Sequence, residues 1–220
     1  MTDIIKFELN NLSKIANLSF ELINGAKFGN TEKQTLFLSY FDMNEEHLRA
    51  IQLLFTNNCN GSAFALVRTF YETFFRALWM NAYASLEEVE KIRNDNFNFT
   101  KDNGTMSSKI DKLDEYYTGT TFFKDLKNGA WGIMSDFTHS GSKQLARRWK
   151  EDKLEPNYTD NEILEVITEI TKTHLWFTDI LLRIHGYQEK SNKVFNIYTQ
   201  YKKDTDSILN NIYIDYESTK

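Results

Sequence analysis

The stretch SAFALVRTFYETFFRALWMNAYAS, which runs from Ser62 to Ser85, decides the fold of this chain. Placed on a helix at about 100° per residue, its apolar side chains cover most of the circumference. Such a helix is usually buried in the middle of a bundle, because no face of it is left for water. We therefore expect it to be the central helix of the domain and the most buried one.

A single charged strip interrupts this helix. Arg68, Glu72 and Arg76 follow one another at intervals of four residues, and Trp79 stands at the end of the row. Charged side chains are costly to bury unless they are paired. Two interpretations remain open: the row is an intrahelical ion-pair ladder that fixes packing, or it lines a functional cleft.

The composition is that of a mostly helical protein. The 220 residues include one proline, Pro156, and nine glycines, and 15% of them are aromatic. Proline breaks helix interiors, so its scarcity favours helices, and the aromatic side chains suffice for a sizeable core. No stretch rich in proline, glycine and serine divides the chain. We predict one all-α domain, residues 1–220, folded as a bundle of six to eight helices.

Charge and cysteine content limit the environment and the partners. The net charge of −5 argues against a continuous nucleic-acid-binding coat but leaves room for a local basic site. The single cysteine, Cys59, excludes an internal disulfide and fits a reducing compartment. The first residues lack the order of a signal peptide, and no apolar run approaches the roughly 18 residues of a membrane span. We expect a cytoplasmic protein that does not associate with a membrane.

A second candidate site is the segment SDFTHSG, residues 135–141. Asp136 and His139 are three residues apart and share one helix face. A carboxylate beside an imidazole holds it in one tautomer, poised for general acid–base catalysis near neutral pH. The alternative is that His139 only caps the end of its helix. No second carboxylate–histidine pair and no glycine-rich phosphate loop occur in the sequence, so we expect no metal and no cofactor.

Two further stretches differ from their surroundings. Asp95 to Thr105 is polar and is predicted to be a mobile loop. Lys143 to Lys153 is the one clearly basic stretch, and it contains Trp149. Its cations are Lys143, Arg147, Arg148, Lys150 and Lys153, set against the acidic Glu151 and Asp152. If the protein acts on nucleic acid, this stretch would bind the backbone, as cations do.

The run SAFALVRTFYETFFRALWM, followed later in the chain by SDFTHSG, resembles a group of bacterial helical proteins related to the HEPN superfamily (higher eukaryotes and prokaryotes nucleotide-binding). In that group an Arg-x-x-x-Glu-x-x-x-Arg helix precedes a Ser-Asp-aromatic-Thr-His-x-Gly segment. The matching positions here are Arg68, Glu72, Arg76, Trp79, Ser135, Asp136, His139 and Gly141. One departure concerns activity: HEPN ribonucleases carry an arginine four to six residues before a histidine on one helix, and no histidine here has an arginine at that distance.

The resemblance implies a HEPN-like fold and a defence or toxin protein that acts on RNA or a nucleotide as a symmetric homodimer. In a metal-independent ribonuclease, His139 would be the general acid or base, and Arg68 and Arg76 would stabilise charge developing on the phosphate. Glu72 would orient the arginines, and Asp136 would orient the imidazole. The alternative is a non-enzymatic binding or interaction module, in which the same residues form a structural or ligand-holding polar network. Whether the protein is an enzyme stays open at this point.

Overall fold

The computed structural model describes residues 1–29 and 31–218, except for the side chains at 129, 130, 133 and 209–218. These residues form nine helices and one two-stranded antiparallel hairpin. The helices are α1 (Asp3–Ile23), α2 (Glu32–Thr56), α3 (Asn60–Tyr83), α4 (Leu86–Arg93), α5 (Met106–Tyr117), α6 (Phe122–Thr138), α7 (Ser142–Ala146), α8 (Asp160–Ile184) and α9 (Gln188–Ser218). The hairpin consists of β1 (Trp149–Lys150) and β2 (Lys153–Leu154). The all-α prediction is confirmed, and none of the helices in these ranges combines the length and apolarity needed to cross a membrane.

The described residues contain more helices than the six to eight predicted. The additional helix is α7, which lies with the hairpin in and beside the basic stretch Lys143 to Lys153. A helix of five residues and strands of two residues are too short to show a periodic pattern of apolar side chains. The sequence therefore identified this stretch by its charge and not by its structure.

Three of the described helices begin with a capping box, in which the N-cap side chain and the side chain three residues later each accept a backbone N–H. They are α2 at Thr31, α4 at Ser85 and α8 at Thr159. Helix α3 starts without such a cap, because its N-cap residue is Cys59.

Helix α3 lies in the main hydrophobic core, where Phe70, Phe74, Phe75 and Leu78 are fully buried. It is nevertheless not the most buried helix. Sixteen of the 25 residues of α8 are buried, against thirteen of the 24 residues of α3, so that prediction is wrong. Several of the buried α8 residues are threonines whose hydroxyls donate to the carbonyl four residues earlier, as Thr171 does to Ile167. Because this bonding satisfies the hydroxyl groups, threonines can lie in the core. Counting only apolar residues in the sequence therefore underestimates how much of α8 is buried.

Helices α3 and α6 run antiparallel to each other. Thr138, at the end of α6, donates a hydrogen bond to the carbonyl of Ala65 near the start of α3, at 3.1 Å. At the other end of the pair, the ring of Phe123 contacts those of Phe74 and Phe75. The two candidate sites lie on these two helices, so this orientation sets the distance between them.

Candidate functional site

The charged row on α3 is an ion-paired ladder. Arg68 Nε donates to Glu72 Oε1 at 2.8 Å, and Arg76 Nη2 donates to Glu72 Oε2 at 3.4 Å. The guanidinium of Arg68 lies 4.7 Å from the ring centre of Trp131, and that of Arg76 lies 5.1 Å from the ring centre of Phe99. The ladder is only partly shielded, since the three side chains are 17%, 26% and 38% exposed from Arg68 to Arg76. Both cations are thus held between one carboxylate and an aromatic face.

Trp79, which ends the row in the sequence, has a different role. It is buried and stacks on Phe97 with ring centres 5.4 Å apart. It therefore belongs to the core beneath the loop that contains Phe97.

The segment 135–141 comprises the last turn of α6 and the tight connection of residues 139–141 into α7. The Asp136 carboxylate accepts a hydrogen bond from the backbone N–H of Lys143 at 2.5 Å, and the Asp136 carbonyl accepts one from the N–H of Gly141 at 2.7 Å. A Cβ atom at position 141 would lie 1.9 Å from Asp136 Oδ1, so the turn needs glycine there. The aspartate of the Ser-Asp-x-x-His-x-Gly motif therefore caps the start of α7, where a negative charge is favourable.

His139 is the C-cap residue of α6, and its backbone N–H donates to the carbonyl of Ser135. Its imidazole is exposed and makes no hydrogen bond within the described part of the chain. His139 therefore lies at the end of α6, as the capping interpretation predicts. Its ring makes no hydrogen bond to Asp136 in the described part of the chain. The side chain is therefore accessible to a ligand.

The structure does not bring His139 to the ladder. The residue beside it, Thr138, is bonded to Ala65, whereas Arg76 lies eleven residues further along α3, about 16 Å at 1.5 Å per residue. Arg68 is nearer, but its guanidinium lies over Trp131, two helical turns before His139 on α6. Within one chain, the groups predicted to act on one phosphate are spread along the α3–α6 interface.

Of the predicted nucleic-acid-binding residues, Lys143 lies on α7, Lys150 lies on the hairpin, and Arg147 and Arg148 lie between the two. Trp149 is opposite Leu154 in the hairpin and Lys150 is opposite Lys153. Trp149 is 54% exposed and Leu154 75% exposed. Arg147 differs from the other cations, because it forms an ion pair with Glu162 of α8. We call the surface formed by the exposed side chains here the basic corner; it comprises Lys143, Arg148, Trp149, Lys150 and Lys153.

A cleft of about 860 Å³ opens beside the basic corner, between α3, α6, α7 and α8. Most of its lining is apolar, and the rings of Phe64 and Phe137 stack there at 5.0 Å. The charged residues of the lining are Asp125, Lys143, Arg147, Glu162, Glu165 and Glu169. The size and the mostly apolar lining are typical of ligand sites. Lys143 belongs to both the cleft and the basic corner, so the two surfaces are continuous.

A buried polar network that no pattern in the sequence predicts connects three helices. His174 Nε2 lies 2.9 Å from Ser19 Oγ, and His174 Nδ1 lies 2.8 Å from Glu45 Oε1, although this second contact is not aligned as a hydrogen bond. Burial raises the pKa of Glu45, but His174 and Arg49 outweigh that effect and hold it below its usual value. The three residues come from α1, α2 and α8, and no local spacing reveals them. The described residues contain no group of three potential metal ligands.

A family model matches residues 41–206, and the chain belongs to that family, which is described as a family of unknown function (DUF6988). The matched range contains the ladder, the α6–α7 turn and the basic corner, and it leaves out α1. No curated protein and no solved structure shows a significant match to the chain.

Proposed function

We propose that the protein binds single-stranded RNA on the basic corner. The observation that carries this proposal is the position of Lys150 directly opposite Lys153 in the hairpin. Like charges that face each other across two strands are destabilising. Among the ion pairs of the described residues, none includes either lysine, Lys143 or Arg148. A polyanion bound here would relieve the repulsion and release counterions.

Trp149 favours a single-stranded ligand over a duplex. Its ring is more than half exposed beside these cations, and base stacking on such a ring contributes about 1–3 kcal/mol per base. Bases in a duplex are already stacked and are not accessible to it. RNA is the nucleic acid that the HEPN resemblance implies, and it alone offers the 2′-hydroxyl on which an adjacent histidine can act.

Cleavage of the bound RNA by His139 is a second candidate function, and the exposure of its unpartnered side chain, four residues before Lys143 in the chain, favours it. His139 would accept the proton of a ribose 2′-hydroxyl as that oxygen bonds to the neighbouring phosphorus. The bond from phosphorus to the 5′-oxygen would break, and the products would be a 2′,3′-cyclic phosphate and a 5′-hydroxyl protonated from water. Lys143, and not the distant Arg76, would neutralise the charge that develops on the phosphate.

This proposal includes the cellular role that the resemblance implies. A HEPN-like protein that binds and cleaves RNA in the cytoplasm would act as a defence protein or toxin, and a symmetric homodimer would present two basic corners to one strand. Light scattering would then return twice the chain mass, and induction of the protein in bacteria would slow growth. A His139→Ala variant that slows growth equally would refute the catalytic role of His139.

The binding proposal is tested with a fluorescently labelled single-stranded RNA and with DNA of the same sequence. We expect the Lys150→Glu/Lys153→Glu variant to bind the RNA at least about tenfold more weakly than the wild type. The matched control is Lys193→Glu/Lys203→Glu, which makes the same charge change at two exposed positions of α9. Equal losses in the two variants would show that only net charge matters and would refute a specific site.

A further inference from the structure

A second pocket lies at the opposite end of the ladder from the basic corner. It has a volume of about 420 Å³ and is lined by Arg76 and by the loop residues 95–100. Phe97 and Phe99 supply aromatic walls, and Asn96, Asn98 and Thr100 supply polar ones. Among the described residues of this lining Arg76 is the one cation, so the pocket combines a guanidinium with aromatic rings and a larger share of polar surface.

The guanidinium of Arg76 is held in place before any ligand arrives. Glu72 accepts from its Nη2, and the ring of Phe99 lies under its Cζ. Phe99 is itself buried and makes edge contacts with Tyr40 and Trp79. An arginine that is already fixed loses little conformational entropy when it binds an anion.

Arg76 has hydrogen-bonding capacity that the described residues leave unused. A guanidinium offers five N–H groups, and only Nη2 donates a hydrogen bond here. The Nε atom is buried and has no partner in the described part of the chain. Nη1 likewise donates to none of the described residues, and the Arg76 side chain is 38% exposed where it lines the pocket, so a ligand there can accept from the free end of the guanidinium.

Lys109 fixes the loop that forms the pocket. Its side chain is buried, and its ammonium group donates to the carbonyls of Phe99, at 3.3 Å, and Gly104, at 2.6 Å, as well as to that of Asp102. The same group lies 5.0 Å from the ring centre of Trp79. The segment that composition predicts to be mobile is therefore tied around a buried cation, and its pocket is formed in advance.

We propose that Arg76 and residues 95–100 form a binding site for a carboxylate carried on a planar apolar group. A carboxylate matches the two-pronged edge of a guanidinium. The partly exposed ring of Phe97 accommodates the apolar group, and Phe99 supports the guanidinium from below. Asp95 in the lining and Glu72 in the ladder reduce the positive potential, which disfavours a doubly charged phosphate. The site is independent of RNA binding at the basic corner.

The first experiment uses the full-length wild-type protein with nitrogen-15-labelled arginine, observed by NMR. Benzoate is the probe, and acetate and inorganic phosphate are the comparison ligands. We expect a saturable shift of the Arg76 Nε–H resonance with benzoate, a weaker response to acetate and the weakest response to phosphate. No saturable shift of this resonance, or tighter binding of phosphate than of benzoate, would overturn the proposal. The wild-type titration decides the outcome even where a variant fails to fold.

Two ladder variants provide a matched comparison by calorimetry, with the fold checked by circular dichroism. Arg76→Gln removes the arginine of the pocket, and we expect benzoate to bind at least about tenfold more weakly. Arg68→Gln removes the other arginine paired with Glu72 but leaves the pocket lining unchanged, so its affinity should stay within about twofold of the wild type. Equal losses in both variants would assign the effect to the integrity of the ladder and overturn the role of Arg76.

Discussion

The carboxylate of Asp136 occupies the space that a Cβ atom at position 141 would need, and it caps α7 from that position. Gly141→Ala should therefore displace the carboxylate and remove the cap, at a cost of about 1–2 kcal/mol in the free energy of unfolding. The matched control is Gly132→Ala within α6, where an added Cβ meets nothing within 4 Å. That change should stabilise the helix by about 0.5–1 kcal/mol. Chemical denaturation measures both, and equal effects of the two variants would contradict the account of the turn.

Leu78 tests the central packing of α3. It is fully buried, so Leu78→Ala should lower the free energy of unfolding by about 2–5 kcal/mol through lost burial and the cavity left behind. Leu53→Ala on α2 removes the same atoms from a side chain that is mostly exposed and should cost less than about 1 kcal/mol. Denaturant midpoints that shift by similar amounts would show that α3 is not in the core.

Glu72 holds two arginines in one ladder. Glu72→Ala leaves both guanidinium groups without their shared carboxylate, and we expect a loss of about 1–2 kcal/mol, less than for a fully buried pair because the side chains are partly exposed. Glu87→Ala breaks an exposed pair with Lys91 at the same spacing and should leave the free energy of unfolding close to that of the wild type. Thermal unfolding distinguishes the two; an undetectable effect of Glu72→Ala would mean that the ladder does not contribute to stability.

The buried contact between Glu45 and His174 should make stability depend on pH. Because the pKa of Glu45 is lower in the folded protein than in the unfolded chain, its contribution is present above the unfolded value of about 4.3 and is lost as the pH falls through the folded value. Glu45→Gln should cost about 3 kcal/mol near neutral pH, and the difference from the wild type should shrink under acid conditions. Glu46→Gln, at the exposed neighbouring position, should show no such trend. If the difference in the free energy of unfolding between Glu45→Gln and the wild type stayed constant from neutral to acid pH, the stabilising role of the Glu45 carboxylate would be contradicted.

Local features of this chain could be predicted from its sequence. The ladder follows from residues four apart on one helix, and the caps at Ser85 and Thr159 follow from side chains that bond within three residues. Helices and their ends depend on such short spacings, so the all-α architecture was accessible.

Features that depend on contacts between distant segments could not be predicted. The separation of His139 from Arg76 follows from the antiparallel packing of α3 and α6, which the motifs do not encode. The Ser19–His174–Glu45 network combines three helices. Lys109 was not distinguished in the sequence from an ordinary surface lysine, yet it is buried and holds a loop by its carbonyls. In each case tertiary packing decided the role of a residue whose neighbours in sequence were uninformative.

The central claim is that the basic corner binds the backbone of single-stranded RNA, and the salt dependence of binding tests it most directly. Each phosphate contact with a single strand contributes about 0.7 to the slope of log affinity against log salt concentration. The Lys150→Gln/Lys153→Gln variant should reduce this slope by about 1.4 relative to the wild type, whereas Lys193→Gln/Lys203→Gln should leave it unchanged. A slope that is the same in the wild type and in both variants would contradict the claim.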